Sequence, residues 1–216
     1  MSFVARTFMV VAAALVTAAA LITVGPASAD TEEPRHTIVE RLGEIEIRQY
    51  GTRLAADVIV TGDEDDARNK GFRLLADYIF GNNSKKSNIA MTAPVATQSA
   101  RSEKIDMTAP VATARGPGNT WRVRFFMPSK YTLETLPKPN NPAVQIVEVP
   151  GETMAVLRFS NSRSAERIVE KTNELVRGLE NTRWVAAGEP VTWLYDPPWT
   201  LPFFRRNEVA IPVRQR

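Results

Sequence analysis

Two residue types are scarce in this sequence, and each scarcity excludes a class of site. The chain has no cysteine, which excludes disulfides, thiolate zinc sites, iron–sulfur clusters and cysteine nucleophiles. It has a single histidine, His36, so sites that need two histidine ligands are excluded as well. The formal net charge is only +3 over 216 residues. So small an excess argues against a nucleic-acid binder, which needs a strong basic field.

The first 29 residues have the three parts of a secretory signal peptide. Arg6 supplies a positive start, residues 8–24 are almost wholly apolar, and Ala27-Ser28-Ala29 is a small-x-small cleavage site. An uncleaved membrane anchor is the alternative, because the apolar run is nearly long enough to span a bilayer. The cleavage site favours removal after its last alanine. We therefore expect a periplasmic or secreted protein with no stable membrane span after cleavage.

The rest of the chain alternates between two hydrophobic periods. Residues 30–36 are polar, and we expect a disordered lead-in. One helix is predicted from the acidic run at 63–66 to about Phe80, because acids in a first turn complement the helix dipole. Calcium binding is the alternative for this run, but the spacing of a calcium loop is missing. A second helix is predicted from Ser162 to about Glu180.

Strands are predicted wherever the apolar residues recur with period two. They are a hairpin around Gly43 and residues 54–60, 89–96, 105–112, 121–127, 144–149, 154–159, 184–195 and 208–213. The order indicates one domain over residues 37–214 with similar halves at about 37–127 and 143–213. The predicted fold class is α+β: two pseudo-symmetric β-α-β-β halves, with two helices flanking a distorted antiparallel β-barrel or sheet.

One seven-residue segment occurs twice. Met91-Thr92-Ala93-Pro94-Val95-Ala96-Thr97 returns unchanged as Met107-Thr108-Ala109-Pro110-Val111-Ala112-Thr113. Proline in a strand belongs at an edge or a bulge, where its missing N–H is not needed. We expect each copy to be a short strand that ends or bends at its proline, the two forming a hairpin.

The repeat belongs to a set of motifs that resembles the SOUL/haem-binding protein family. The other motifs are Ile45-Glu46-Ile47-Arg48-Gln49-Tyr50, Phe72…Leu75…Tyr78-Ile79…Gly81-Asn82, Trp121…Phe125-Phe126-Met127-Pro128, Tyr195-Asp196-Pro197-Pro198-Trp199-Thr200 and Arg205-Arg206-Asn207-Glu208-Val209. The resemblance covers about residues 36–213. It implies the fold of two β-α-β-β halves and the non-covalent binding of haem or another tetrapyrrole. The fold is also similar to effector-binding domains of bacterial regulators that take up small hydrophobic ligands.

The resemblance also implies where a tetrapyrrole would bind, namely against the first helix. Phe72 is the matching position for an apolar contact with the macrocycle, and Arg68 is placed to hold a propionate. Arg73 is a further basic residue nearby on the helix. The sequence departs from the pattern at Asp77, which is acidic where a cation would help.

The residues leave several candidates for a haem-iron ligand. Met91 and Met107 qualify because a thioether can ligate haem iron, although methionine in strands is usually core filler. His36 is expected to be an exposed tail residue. The remaining alternatives are Met127, Tyr50, Tyr78 and Tyr195.

Aromatic residues crowd the end of the chain between prolines. They are Trp193, Tyr195, Trp199, Phe203 and Phe204. This cluster predicts the wall of a ligand slot, an exposed patch for a partner or a membrane, or a loop pinned over the core by its aromatics. We favour the pinned loop. For Arg205-Arg206 and Glu208 we likewise favour a structural ion pair over contacts to an anionic ligand.

The leading functional hypothesis is a non-catalytic binder of haem, or of a related small hydrophobic ligand. No Ser-His-Asp set, GxSxG elbow, phosphate loop or dinucleotide fingerprint occurs in the sequence. A protein-interaction module of the same fold is one alternative, which exposure of Trp199 and Phe203 would favour. A hydrolase-like activity is the other, and it would need a slot carboxylate with a raised pKa, such as Glu46, Glu148 or Glu208.

Overall fold

A computed structural model describes residues 31–85 and 102–216. The described residues contain helices α1 (Glu64–Ile79) and α2 (Ala165–Gly178) and a short 3-10 helix, Pro202–Phe204. The strands are β1 (His36–Leu42), β2 (Ile45–Tyr50), β3 (Arg53–Thr61), β4 (Asn83–Ser84), β5 (Val111–Arg115), β6 (Thr120–Phe126), β7 (Lys138–Pro139), β8 (Gln145–Val149), β9 (Glu152–Phe159), β10 (Trp184–Ala186), β11 (Val191–Leu194) and β12 (Asn207–Gln215). The predicted signal peptide, the first copy of the repeat and the strand predicted at 89–96 lie outside the described residues.

One large sheet carries the fold. Its strands follow the order β1-β2-β9-β12-β11-β5-β6-β3-β8, with β10 pairing β12 beside this path. All these strand pairings are antiparallel, and the sheet curls into a half-barrel. With its two helices, this sheet confirms the predicted α+β class. None of the helices in the described ranges is long and apolar enough to cross a membrane.

Both helices pack on the same face of the sheet, which we call the helix face. Alternation along each strand sends every second side chain to the opposite side, the open face. The core under α1 includes Val123 and Phe125, and the core under α2 includes Val209 and Ile211. A third apolar cluster on the open face contains Tyr50, Ala55, Ala112, Phe126, Val149, Met154, Val156, Trp193 and Ala210.

Three local contacts fix where helix α1 begins and how it packs on the sheet. The Asp63 carboxylate caps it by accepting from the backbone N–H of Asp66 at 2.8 Å, so the acidic run forms a helix start as predicted. The helix lies very close to β6 at Gly71, where a Cβ would come within 2.5 Å of Val123 Cγ2. Tyr78 anchors the far end, because its buried hydroxyl donates to the Pro137 carbonyl at 2.8 Å.

Two predicted strands are wrong in their bounds. The strand predicted at 105–112 begins only at Val111, directly after a proline that has no N–H to pair, while Ile105 donates to the carbonyl of Ile79 in α1 instead. The strand predicted at 184–195 is interrupted between β10 and β11. There Ala187 donates to the Pro212 carbonyl, and the next four residues include Gly188 and a proline.

The polar segment before β1 makes defined contacts where the structure describes it. Glu32 forms a parallel bridge with Thr108, and its carboxylate accepts from the Ser129 N–H at 2.9 Å. Glu33 pairs with Arg206 at 2.8 Å. Composition gives no indication of these contacts, because polar residues near a terminus predict solvation rather than pairing.

Candidate functional site

Two of the predicted site residues lie one turn apart on α1. Arg68 and Phe72 are four positions apart and therefore share a helix face. The Phe72 side chain is 36% exposed, and its ring meets the ring of Phe125 edge-on at 5.4 Å. Phe72 thus presents apolar surface to solvent over a buried aromatic.

Arg68 is largely buried and only partly paired. Its guanidinium bonds Asp65 through Nη2, while its buried Nη1 makes no hydrogen bond within the described residues. Nη1 also forms a long ion pair with Glu64, whose Oε1 is 3.8 Å away. A buried guanidinium nitrogen without a hydrogen-bond acceptor is costly, so Nη1 has the capacity to donate to an anionic group in addition to its long ion pair with Glu64.

Other arginines bring positive charge to the same region. Burial lowers the pKa of Arg68, Glu64 opposes this shift, and the positive charge of Arg163 lowers the pKa further. Burial likewise lowers the pKa of Arg163, and Arg205 adds to the effect. Arg163 precedes α2 and donates to the Asp196 carbonyl at 3.5 Å. Arg163 therefore contacts the C-terminal loop, and its charge acts on Arg68 in α1.

That loop, residues 196–204, is here called the aromatic loop. Its large apolar side chains are 55–83% exposed, and they are Trp199, Leu201, Phe203 and Phe204. The interpretation of a loop pinned over the core by its aromatics is therefore wrong for these residues, although Trp193, which precedes the loop, is buried as expected.

Polar contacts hold the aromatic loop in place instead. The Arg205 guanidinium donates to the carbonyls of Thr200 and Pro198 at 2.7 and 2.8 Å. The Asp196 carboxylate accepts from the Arg206 N–H at 2.6 Å. These hydrogen bonds fix the backbone of the loop, so its aromatic side chains are not needed to hold it and remain exposed. Hydrophobicity alone does not predict this exposure.

We call Arg68, Phe72, Arg163 and the aromatic loop the helix–loop site. It combines exposed aromatic surface with guanidinium groups, of which one has an unused buried nitrogen. Flat apolar molecules stack on such aromatics, and carboxylates pair with arginine. The arrangement therefore suits a flat apolar ligand that carries carboxylates.

The other predicted site residues lie apart from this site or outside the described ranges. Arg73 and Lys70 line a shallow depression over β3 of about 410 Å³, which includes neither Arg68 nor Phe72. Met107 is exposed, and within the described part of the chain it makes no hydrogen bond to the helix–loop site. Met91 is not among the described residues, so both methionines stay predictions.

The neighbouring candidates for iron or propionate contacts have other partners. His36 is the first residue of β1, where its ring tilts against that of Tyr50 at 5.1 Å. The Asp77 carboxylate accepts from the Asn82 side-chain amide at 2.5 Å. Asp77 is therefore tied to the end of its own helix.

The open face holds a buried charge cluster that the sequence indicated only in part. Glu208 is fully buried and accepts from Arg48 at 2.9 Å, from Tyr195 at 2.7 Å and from Arg206 at 3.0 Å. Burial acts to raise the pKa of Glu208, but the hydrogen bond and charge of Arg48, with Arg206, bring it below its usual value. The ion pair predicted for Glu208 thus forms with Arg206, while Arg205 binds backbone carbonyls.

Comparison with protein-family models gives a match to "SOUL heme-binding protein" over residues 31–103 and 96–212. The chain belongs to the SOUL family. A search of curated proteins finds no match. Among solved structures, the SOUL chain is similar to the EcmrR C-terminal domain, with 9% identity and a TM-score of 0.57 over 80% of this chain and 98% of that one. It is also similar to a hydrolase from Listeria innocua, with 12% identity and a TM-score of 0.50 over 85% and 93%.

Those structural likenesses concern the fold, whereas the SOUL family name makes haem the group to test against the residues. The buried Nη1 of Arg68, which has no hydrogen-bond acceptor among the described residues, suits a propionate oxygen, and Phe72 and Trp199 offer apolar surface for a macrocycle. The helix–loop site as defined includes no histidine, methionine or tyrosine. Its residues therefore fit the organic part of haem, which they would hold without an axial ligand of their own.

Proposed function

We propose that this SOUL protein binds haem or a related tetrapyrrole non-covalently, and without catalysis, at the helix–loop site. The observation that carries the proposal is the exposure of the aromatic loop beside the arginines of the site. Soluble proteins rarely expose a contiguous large apolar patch unless it binds something. Covering one such side chain contributes about 1.5–3 kcal/mol.

The chemistry of each side chain indicates which part of the tetrapyrrole it contacts. Phe72 and Trp199 stack against the macrocycle and exclude water from its faces, while Arg68 and Arg163 hold the propionates. Bound haem would supply a redox-active iron, which the residues of the site leave unligated. Metal-free protoporphyrin should therefore bind nearly as tightly as haem.

The hydrolase-like alternative that would use Glu208 or Glu46 is weakened by the state of these two carboxylates, whereas burial raises the pKa of Glu64, which lies beside Arg68. A general acid in the slot would need a raised pKa, whereas the pKa of Glu208 is lowered and its oxygens are occupied by Arg48 and Arg206. Glu46 also has a lowered pKa, because the hydrogen bond and charge of Arg48 outweigh the effect of burial.

The test is a titration of the purified protein with haem and with metal-free protoporphyrin, followed by absorbance and by tryptophan fluorescence. We expect saturable one-to-one binding of both, weakened about tenfold or more in Phe72→Ala and in Arg68→Gln. Phe80→Ala is the matched control, because Phe80 is an exposed phenylalanine at the end of the same helix. Equal affinity of Phe72→Ala and wild type would contradict the site.

A protein-interaction module is the second candidate, and the exposure of Trp199 and Phe203 favours it. The same titration separates the two. A flat titration of the wild-type protein with both tetrapyrroles would leave the interaction module as the better account of the aromatic loop.

We also propose that the chain is exported and cleaved after Ala29, which makes it periplasmic or secreted. The charge, apolar run and cleavage site of the first 29 residues support this. Mass spectrometry of the protein from its native envelope should find a mature chain that begins at Asp30. An intact N-terminus would contradict the proposal.

A further inference from the structure

On the open face, Arg53 is buried with part of its hydrogen-bonding capacity unused. Its guanidinium lies between the rings of Tyr50 and Phe126, 4.5 and 4.8 Å from their centroids. Its Nη2 donates to Glu152 at 2.6 Å. Its Nε and Nη1 are buried and make no hydrogen bond to any described residue. A buried donor left without an acceptor costs about 1–3 kcal/mol, so an acceptor from outside the chain would stabilise this arginine once a shift of the side chains around it opens a path to these nitrogens.

Arg53 lines a cavity of about 650 Å³, here called the Arg53 cavity. That volume lies within the range typical of sites for small molecules. Its apolar wall is formed by Leu54, Phe126, Met127 and Leu133, with Tyr131 beside them. An extended apolar chain would fit this wall, and its polar end would meet the guanidinium.

Charge is distributed unevenly around the Arg53 cavity. Glutamates also line it, but Glu32 is engaged by the Ser129 N–H and Glu33 by Arg206. Glu134 and Glu148 are exposed, so water screens their charge. The Arg53 side chain is only 9% exposed. Arg35 also lines the cavity, and Nη2 of Arg53 is already paired with Glu152. A carboxylate in the buried part would therefore be held by hydrogen bonds from the remaining guanidinium nitrogens, while the acidic surroundings disfavour a second negative charge.

We propose that the Arg53 cavity binds a single-chain carboxylate with an apolar tail, of the fatty-acid class. The carboxylate accepts hydrogen bonds from the Arg53 guanidinium, and the tail lies along Leu54, Met127 and Leu133. Charge-assisted bonds of this kind are stronger than neutral ones, and tail burial contributes about 0.8 kcal/mol per methylene. The arginine end of the site lies on the open face, whereas Leu54 and Met127 belong to the apolar cluster under α1. None of the residues of the helix–loop site lines this cavity, and the inference does not rest on tetrapyrrole binding.

The test is calorimetric titration of the full chain with dodecanoate, dodecanol and dodecylamine. We expect one-to-one binding of dodecanoate, about tenfold or more tighter than dodecanol, with dodecylamine weakest. In Arg53→Gln the preference for dodecanoate over dodecanol should disappear. A preference for dodecylamine, a preference that survives in Arg53→Gln, or no binding of dodecanoate by the wild type would each overturn the proposal.

A second variant guards against the possibility that Arg53→Gln fails to fold. Leu133 lies on the cavity wall and is 45% exposed, so the fold should tolerate Leu133→Asp. That variant should bind dodecanoate about tenfold more weakly, while Val169→Asp on the exposed side of α2 should bind it as the wild type does. Wild-type affinity in Leu133→Asp would contradict the placement of the tail.

Discussion

Buried residues are usually apolar and exposed residues usually polar, but two regions of this protein reverse that distribution. They are the aromatic loop and the Glu208 cluster, which consists of Glu208 with Arg48, Tyr195 and Arg206. In the loop, Trp199 and Phe204 are more than two-thirds exposed, whereas Glu208 and Arg48 are buried on the open face. The buried charges satisfy one another, because each has a partner within hydrogen-bond distance. The exposed aromatics have no such partner in the described chain beyond the contact of Phe203 with Phe204. The cluster therefore serves the fold, and the exposure of the loop supports the proposal that the loop serves a ligand.

The largest effect on stability should come from breaking the buried cluster. Glu208→Ala leaves Arg48 and Arg206 without their shared carboxylate, and we expect a loss of about 3–5 kcal/mol in the free energy of unfolding. Urea unfolding followed by far-UV circular dichroism measures it. Glu180→Ala, at an exposed position after α2, is the control. A loss no larger than that of the control would show that the cluster does not hold the sheet together.

The same carboxylate should make stability depend on pH. Its pKa in the folded protein is lowered from the ordinary 4.5, so its contribution is present above about pH 4.5 and is lost as the pH falls through the folded value. The urea concentration at the unfolding midpoint, measured from pH 7 down to pH 3, should begin to decrease once the pH is below 4.5. It should decrease less in Glu208→Gln, and an equal decrease in both proteins would assign the acid sensitivity to other groups.

A smaller loss in the free energy of unfolding should follow a change where α1 packs against β6. Gly71→Ala would place a Cβ 2.5 Å from Val123 Cγ2, and overpacking of this kind costs about 1–3 kcal/mol. Gly178→Ala is the matched variant on α2, where the clash is with the flexible end of Ile45, so its cost should be smaller. Unfolding midpoints of the two variants compare them, and a larger loss at Gly178 would reverse the expected order.

The smallest effect on stability is expected where the apolar surface is largest. Trp199→Ala combined with Phe203→Ala removes two exposed rings, so the free energy of unfolding should stay within about 0.5 kcal/mol of wild type. Urea unfolding tests this directly. A loss of several kcal/mol would mean that the loop aromatics support the core after all.

Local patterns in the sequence predict the elements well, but not the long-range pairings. The hairpin around Gly43 and the start of α1 at Asp63 follow from neighbouring residues. Arg48 and Glu208 are 160 positions apart, and nothing local to either one signals their contact. The strand predicted at 105–112 fails for the same reason, because Ile105 pairs with α1 rather than with the sheet.

The helix–loop site and the Arg53 cavity could likewise be predicted only in part, because both depend on contacts between distant residues. Motifs matched to the SOUL family led to Arg68 and Phe72, yet the outward direction of Trp199 depends on how Arg205 holds the loop backbone. The unused nitrogens of Arg53 are also invisible in the sequence, because they depend on two rings brought together by the fold.

The most direct test of the central claim is the haem affinity of the variant that combines Trp199→Ala and Phe203→Ala, measured beside its free energy of unfolding. If the loop serves a ligand, haem should bind about tenfold or more weakly while stability is unchanged. Wild-type affinity for haem in this variant would contradict the account, because the exposed aromatics would then contribute nothing to binding.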